Sequence, residues 1–190
     1  MSVHSKPYLT AEDYLAFERS AETRSEYVDG EMVAMAGASR EHNLIVTNLL
    51  GELRSQLKGR PCELYPSDLR VRVPATGLYT YSDVVVVCGE PRFEDEHFDT
   101  LLNPSLVIEV LSASTEGYDR GKKFEHYRAL DSLREYLLVS QDEPLVEQFV
   151  RQEDGAWRFT ATSGRDAVVH LPSLGCSLAL AEIYDKVPLP

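Results

Sequence analysis

Two carboxylates in this chain stand where a sheet interior has little use for a charge. Asp83 opens the run Asp83-Val84-Val85-Val86-Val87, and Glu109 lies inside Leu106-Val107-Ile108-Glu109-Val110-Leu111. Such near-continuous apolar runs are the composition of strands buried on both faces. Side chains alternate across a strand, so Glu109 shares its face with Val107 and Leu111. An anion there costs free energy unless a cation or a metal meets it. Taken alone, Asp83 reads most simply as a turn residue at a strand start, and Glu109 as one half of a buried ion pair. A third charge changes the balance. On a helix expected over about 118–130, Phe124, Tyr127 and Leu130 define an apolar face. The 100° step per residue puts Lys123 inside that face and turns Lys122 about 140° from its centre. Asp119, Lys123 and Tyr127 follow at i, i+4 and i+8, so they lie along one side. The plain role of Lys123 is to pair with Asp119 or Glu109. An inward lysine beside two inward carboxylates is also the minimum set for metal-assisted hydrolysis. Carboxylates hold a hard cation through oxygen, the cation polarises a phosphoryl oxygen and acidifies bound water, and the ammonium steadies developing charge.

Weaker candidates surround this set. His42 lies one turn before Val46 and in line with Leu49 and Leu53, so it faces inward at a helix start. Such a histidine is more often structural than functional, but this one could support a metal ligand or contact a phosphate. Glu26 and Glu31 bracket a hairpin, and spacing does not say which reaches the same cleft; Glu26 is the candidate. Arg70 and Arg72 share one face of a strand, and Arg120, Lys122, Lys123, Arg128 and Arg134 cluster around the second helix. These form a modest basic rim, enough for a short strand of nucleic acid.

The elements that must position these groups are legible as punctuation. Thr10 to Asp13 has the form of a capping box and starts a short helix to about Ser20. Asp29-Gly30, between short arms over 26–35, signals a hairpin. Ser39 is a helix N-cap, followed by a stripe of Ile45, Val46, Leu49, Leu50, Leu53 and Leu57 that Gly59-Arg60-Pro61 ends. Strands are expected over 63–73, 81–88 and 106–111. The acidic loop 90–99 between the last two reads as a solvated face. The second helix and a strand over 135–140 follow. A closing hairpin over 146–162 turns at Asp154-Gly155, and a short helix lies near 179–185. The centre therefore runs helix, strand, strand, strand, helix, strand. This is an α/β (α+β) mixed sheet with helices on its faces. We expect a single domain over 1–190, with its core at about 39–140, an N-terminal helix and hairpin at 10–35, and a C-terminal hairpin and tail at 141–190.

Composition bounds the function. The chain has 190 residues, 43% of them hydrophobic and 26% charged, enough to bury a core. A net charge of −12 disfavours a protein that coats nucleic acid through Lys and Arg, but not an enzyme with a local basic groove. Cys62, Cys88 and Cys176 are odd in number, far apart and form no CxxC, so reduced, half-buried thiols are expected. The N-terminus has no apolar leader core, and no apolar run approaches a membrane span, so a cytoplasmic chain with no membrane partner is expected. Val146, Phe149, Trp157 and Phe159 on the closing hairpin exceed what a small core should cover, which suggests a homodimer.

These residues resemble a known group. The segments Tyr81-Ser82-Asp83 with its valines, Pro104 to Thr115 around Glu109, and Tyr118 to Tyr127 around Lys123 are similar to Uma-type restriction endonucleases, within the PD-(D/E)XK nuclease superfamily. Glu26 to Glu31 and Ser39 to His42 also match, so the resemblance spans about Leu9 to Leu138. It implies a restriction-endonuclease-like αβββαβ core and phosphodiester hydrolysis that needs Mg²⁺, for which Mn²⁺ can substitute. It places Asp83 and Glu109 at the motif's acidic positions, with the Val110 carbonyl as a further metal ligand. Ser82 stands where the superfamily has Pro, and Leu111 where it has Lys. The lysine's role passes to Lys123 on the helix, a move the Uma-type group shares. Nucleic acid, DNA first, is the implied substrate. The alternatives are a catalytically silent member that serves as a binding or assembly module, favoured by the net charge, and hydrolysis of a small phosphoester.

Overall fold

The computed structural model describes residues 8–35 and 37–189. Most of the N-terminal stretch expected to lack a leader lies outside these residues. Thr10 caps α1 (Ala11–Glu18): its hydroxyl oxygen accepts the Asp13 backbone N–H at 3.1 Å and its hydroxyl donates to the Asp13 carboxylate at 2.6 Å. β1 (Ser25–Val28) and β2 (Glu31–Ala34) then pair antiparallel across Asp29-Gly30. Both turn residues have positive φ, 49° and 82°, the left-handed backbone that a two-residue hairpin turn needs. Ser39 caps α2 (Arg40–Leu57), which buries Ile45, Leu49, Leu53 and Leu57.

The first two of the three strands expected in the centre are each two. The stretch 63–73 divides into β3 (Cys62–Pro66) and β4 (Arg70–Val73), and the run over 81–88 into the end of β5 (Leu78–Tyr81) and β6 (Val84–Cys88). The members of each pair lie in different sheets. After β7 (Thr100–Leu101) and β8 (Leu106–Val110), the second helix is composite. It comprises α3 (Glu116–Tyr118), a π-helical turn over Asp119–Lys123, and α4 (Phe124–Tyr127). β9 (Glu135–Val139), β10 (Leu145–Arg151) and β11 (Trp157–Ser163) follow. A small hairpin of β12 (Val168–Leu171) and β13 (Cys176–Ala179), absent from the sequence reading, leads into α5 (Leu180–Ile183).

Six strands form the central sheet in the order β11-β10-β9-β8-β6-β3, and five form a second sheet in the order β2-β1-β5-β4-β7. β8 and β9 run parallel while the other central neighbours are antiparallel. Along the chain, α2, β3, β6, β8, the composite helix and β9 give the αβββαβ order of a mixed α+β fold. One face of the central sheet packs Val84, Val86, Leu106 and Ile108 under α2 and α5. The other packs Val85, Val107 and Leu138 against Val71 and Leu101 of the second sheet and against Phe124 and Tyr127. The chain crosses from the second sheet to the central one at Ser82-Asp83.

Three expectations need correction. The acidic loop is no mere solvated face: Glu94 pairs with Arg72, Asp95 and Asp99 with Arg19, and Asp99 also with Arg70. Cys62 and Cys88 are disulfide-bonded, and only Cys176 is free. They are directly opposed residues of β3 and β6 with Cα atoms 4.0 Å apart, a cross-strand proximity that 26 residues of separation hides from a sequence reading. Of the four apolar residues that suggested a second copy, Val146 is buried, and Phe149 and Trp157 pack around Phe124; Phe159 alone is largely exposed. No helix among the described residues is long and apolar enough to cross a membrane.

Candidate active site

The carboxylates sit where the two sheets part. Val84 on β6 lies opposite Ile108 on β8, so Asp83 and Glu109 are the next opposed positions at the end of the ladder. Asp83 immediately precedes β6. Its Oδ2 accepts the Val110 backbone N–H at 2.7 Å and lies 3.2 Å from His42 Nε2. The inward histidine of α2 therefore meets the acid of the sheet. Ser39, which caps that helix through the His42 N–H, also donates to Gln141 Oε1 at 2.6 Å, joining α2 to the loop after β9.

Glu109 stays within the strand and is 4% exposed. Lys123 is 5% exposed, and its Nζ lies 3.0 Å from Glu109 Oε1, 3.1 Å from Glu26 Oε1 and 3.6 Å from Asp119 Oδ1. It also donates to the Tyr81 carbonyl at 3.1 Å. Lys122 points to solvent and pairs with Glu125, so the wheel argument chose the correct lysine. Asp119–Lys123 forms a π turn rather than regular α-helix, a local widening common at functional sites. Tyr127 donates to Glu109 Oε1 at 3.3 Å and shares a hydrogen bond with Ser82. Thr80 donates to Glu26, which ties the first hairpin to this floor.

One ammonium among three carboxylates leaves the floor short of positive charge. Burial holds the Glu109 carboxyl well above the usual range; Lys123 opposes this, while Asp119 and Asp83 push it further. Burial also raises Asp119, again against Lys123. For Lys123, burial would favour loss of the proton, but Glu109, Tyr127, Glu26 and Asp119 carry the ammonium well above an ordinary lysine. Lys123 is thus a fixed cation and donor, not a base. Tyr118, at the side of the cleft, is pushed up to about 12, first by burial and then by Glu26.

The donor set suits a hard cation. Contacts to Asp83 fall on Oδ2 and those to Glu109 on Oε1. Each acid thus has its second oxygen outside those bonds. Among the described residues no three or more His, Cys, Asp or Glu side chains are gathered tightly enough to hold a metal alone. A cation here would therefore need a backbone carbonyl or water beside the two acids.

The expected basic rim is not free. Arg70 is 2% exposed, donates to Thr100 and Tyr81, and pairs with Asp99. Arg72 pairs with Glu94 over the Tyr79 ring. Both belong to the docking of the acidic loop, because β4 lies in the second sheet. Arg120 does line the cleft, but pairs with Glu116 and Glu147. The sequence reading took Asp119 only as a partner for Lys123 and missed Ser82 and the Tyr81 carbonyl. The i, i+4 spacing to Lys123 was the available signal for Asp119; nothing local marks the other two.

Comparison with known proteins places this geometry in context. The sequence model of the Uma2 family, described as "Putative restriction endonuclease", matches residues 11–181. Two uncharacterized proteins of Synechocystis, sll1609 and slr1290, are each 38% identical to the chain. The first aligns over 169 residues, 89% of this chain and 96% of its own length, and the second over 178 residues, 94% and 92%. A crystal structure from Anabaena variabilis, described as a "putative nuclease belonging to DUF820", superposes with a TM-score of 0.76 over 95% of this chain and 99% of its own. At 20% identity that likeness is one of fold.

Proposed function

The chain belongs to the Uma2 family of "putative restriction endonucleases", and from that premise we propose that it is a divalent-metal-dependent nuclease that hydrolyses phosphodiester bonds, with DNA as the first candidate substrate. The observation that carries this reading is the buried floor where Glu109 meets Lys123 beside the strand-end Asp83. Asp83, Glu109 and the Val110 carbonyl would hold Mg²⁺, or Mn²⁺ in its place. When bound, the ion supplies Lewis acidity and a more acidic water.

The chain's own groups have separable tasks. His42 and the Val110 N–H hold the Asp83 carboxylate in one orientation. Tyr127, with Ser82 behind it, orients Glu109. Lys123 neutralises part of the floor, and its three N–H groups are engaged by Glu109, Glu26 and the Tyr81 carbonyl, so it would serve a phosphoryl oxygen or a water by exchanging one of these partners. Glu26 and Asp119 anchor that ammonium from the hairpin and the π turn. A homodimer belongs to this reading; it rests on the edge strand β11 and the exposed Phe159.

The test is nucleic acid cleavage with Mg²⁺ or Mn²⁺ by the wild type beside Glu109→Gln. Metal-dependent cleavage lost in the variant is the expected result. Equal residual activity in both would mean a contaminant, and a binding or assembly module would then be the better description.

A further inference from the structure

The chain passes from the second sheet to the central one through Thr80-Tyr81-Ser82-Asp83, and each of these residues touches the floor in its own way. The Thr80 hydroxyl donates to Glu26, the Tyr81 carbonyl accepts from Lys123 Nζ at 3.1 Å, and the Ser82 hydroxyl bonds to Tyr127, which donates to Glu109. Asp83 supplies its own carboxylate. What fixes this short segment therefore fixes the floor. The N–H bonds from Lys123 to Glu109 and Glu26 are charge-assisted and strong. The remaining N–H goes to the neutral Tyr81 carbonyl, so the aim of the ammonium depends on where that carbonyl stands.

The Tyr81 side chain takes the other face of β5 from Thr80. It is buried, and its hydroxyl lies between two buried charges, donating to Glu18 Oε1 at 3.0 Å and accepting from Arg70 Nη1 at 2.9 Å. Burial, opposed by Arg70 and helped by Glu18, pushes the phenol up to about 12, so it keeps its proton for Glu18 at neutral pH. Arg70 is the cross-strand partner of Tyr81 and is itself held by Thr100 and Asp99. Glu18 also accepts the Ser25 N–H at 2.9 Å. Docking α1 does not need the phenol: Tyr14 and Leu15 pack with Tyr27 and Tyr79, and the Tyr14 hydroxyl donates to the Ser25 carbonyl at 2.6 Å. Buried charges are also a poor source of stability, because apolar residues of like volume often serve as well. What Glu18 and Arg70 add together is a fixed place for residue 81.

We propose that Tyr81 is a positioning residue of this site: Glu18 and Arg70 grip its phenol on one side of β5, so that its backbone carbonyl holds the Lys123 ammonium to one aim over the floor. This rests on the nuclease reading above and deepens it, adding a residue that acts through Lys123 rather than on the substrate. With the carbonyl displaced, the ammonium settles toward Glu109 and Glu26 alone. A misplacement of about 1 Å is enough to cost on the order of 100-fold in rate, so a smaller drift is still measurable.

The experiment compares the full-length wild type with Tyr81→Phe, Glu18→Gln and Tyr27→Phe by two readouts. One is the ¹⁵N NMR signal of the Lys123 ammonium, identified as the signal missing from Lys123→Arg. The other is cleavage of a labelled DNA duplex with Mn²⁺. In Tyr81→Phe the ammonium signal should shift and exchange its protons faster, and kcat should fall about ten-fold with KM little changed, a loss of orientation rather than of binding. Glu18→Gln keeps an acceptor for the phenol and should hold kcat within about two-fold of wild type. Tyr27→Phe removes a hydroxyl that donates to the Leu9 carbonyl at 2.8 Å, in the same packed cluster but away from the Tyr81 phenol, and should leave signal and kcat in place. Arg70→Lys loosens the phenol from its other side while keeping the charge, and should give the same kcat–KM split if Tyr81→Phe fails to fold. A wild-type signal and kcat in Tyr81→Phe overturn the inference while the nuclease reading stands. Equal changes in Tyr27→Phe show a structural effect alone and overturn it too. Absence of cleavage even by the wild type overturns the nuclease reading, and the ammonium signal still judges what holds Lys123.

Discussion

Two clusters of charge flank the junction of the sheets, and they are built to opposite balances. In the loop cluster Arg19, Arg70 and Arg72 face Asp95, Asp99 and Glu94. There hydrogen bonds from Arg19, with Arg70 nearby, outweigh burial and hold the Asp99 carboxyl well below the ordinary range; the Arg19 hydrogen bond likewise lowers Asp95. At the cleft floor one ammonium serves Glu26, Glu109 and Asp119, and burial holds Glu109 and Asp119 above it. The same residue types thus make a closed fastener in one place and an electrostatically unfinished site in the other. A carboxylate cluster short of cations costs the fold stability and gains a use when a cation or polar substrate arrives.

The comparison is broken most directly at Lys123. Lys123→Met removes the cation that, among the described residues, pairs with all three carboxylates and should cost about 3–5 kcal/mol, the range for orphaning a buried charge. Urea denaturation at neutral pH reads this. The loss should shrink in acid, because the raised carboxyls then take up protons. A cost under about 1 kcal/mol, the level of an exposed pair, would show the floor to be solvated.

Glu109→Gln should lower cleavage on the order of 100-fold, a typical loss when one group that stabilises developing charge is removed. It should leave the melting temperature equal or higher, since it deletes one of the competing anions. A comparable fall in activity for Asp99→Asn would deny that the clusters have separate roles. That variant should instead cost about 1–2 kcal/mol, reduced because Asp99 is 33% exposed.

The pH dependences should run in opposite directions. Asp99 has a depressed folded pKa, so its contribution is present above its unfolded value of about 3.9 and is lost as pH falls through the folded one. Glu109 has a raised folded pKa. The fold therefore gains stability as pH falls through that value, with the gain complete below the unfolded value of about 4.3. The stability difference between wild type and Asp99→Asn should vanish in acid, and that between Glu109→Gln and wild type should narrow. Parallel pH curves for the two variants would remove the distinction. The smallest effect concerns assembly: Phe159→Ser should shift a dimer toward monomer by light scattering without altering the melting of the monomer. A wild type already monomeric at micromolar concentration removes the dimer from the proposal.

Much of this site was legible before any coordinates. An acid inside an apolar strand run, an acid before one, and a lysine in the apolar face of a helix are local patterns, and local geometry governs them: alternation along strands and the angular step of helices. Thr10, Ser39 and Asp29-Gly30 also acted locally, through hydrogen bonds and backbone angles within a few residues. Tertiary structure alone decided the rest. Arg70 reads as a surface cation until β4 is assigned to a second sheet and the acidic loop closes over it. The break at Ser82-Asp83 cannot be seen in a continuous β-rich run, because each half is a good strand and only pairing partners distinguish them. Cys62 meets Cys88, and Glu26 rather than Glu31 meets Lys123, through contacts between residues far apart in the chain. Periodicity has no access to such separations: it says which face a side chain takes, whereas the packing of sheet on sheet decides what that face meets.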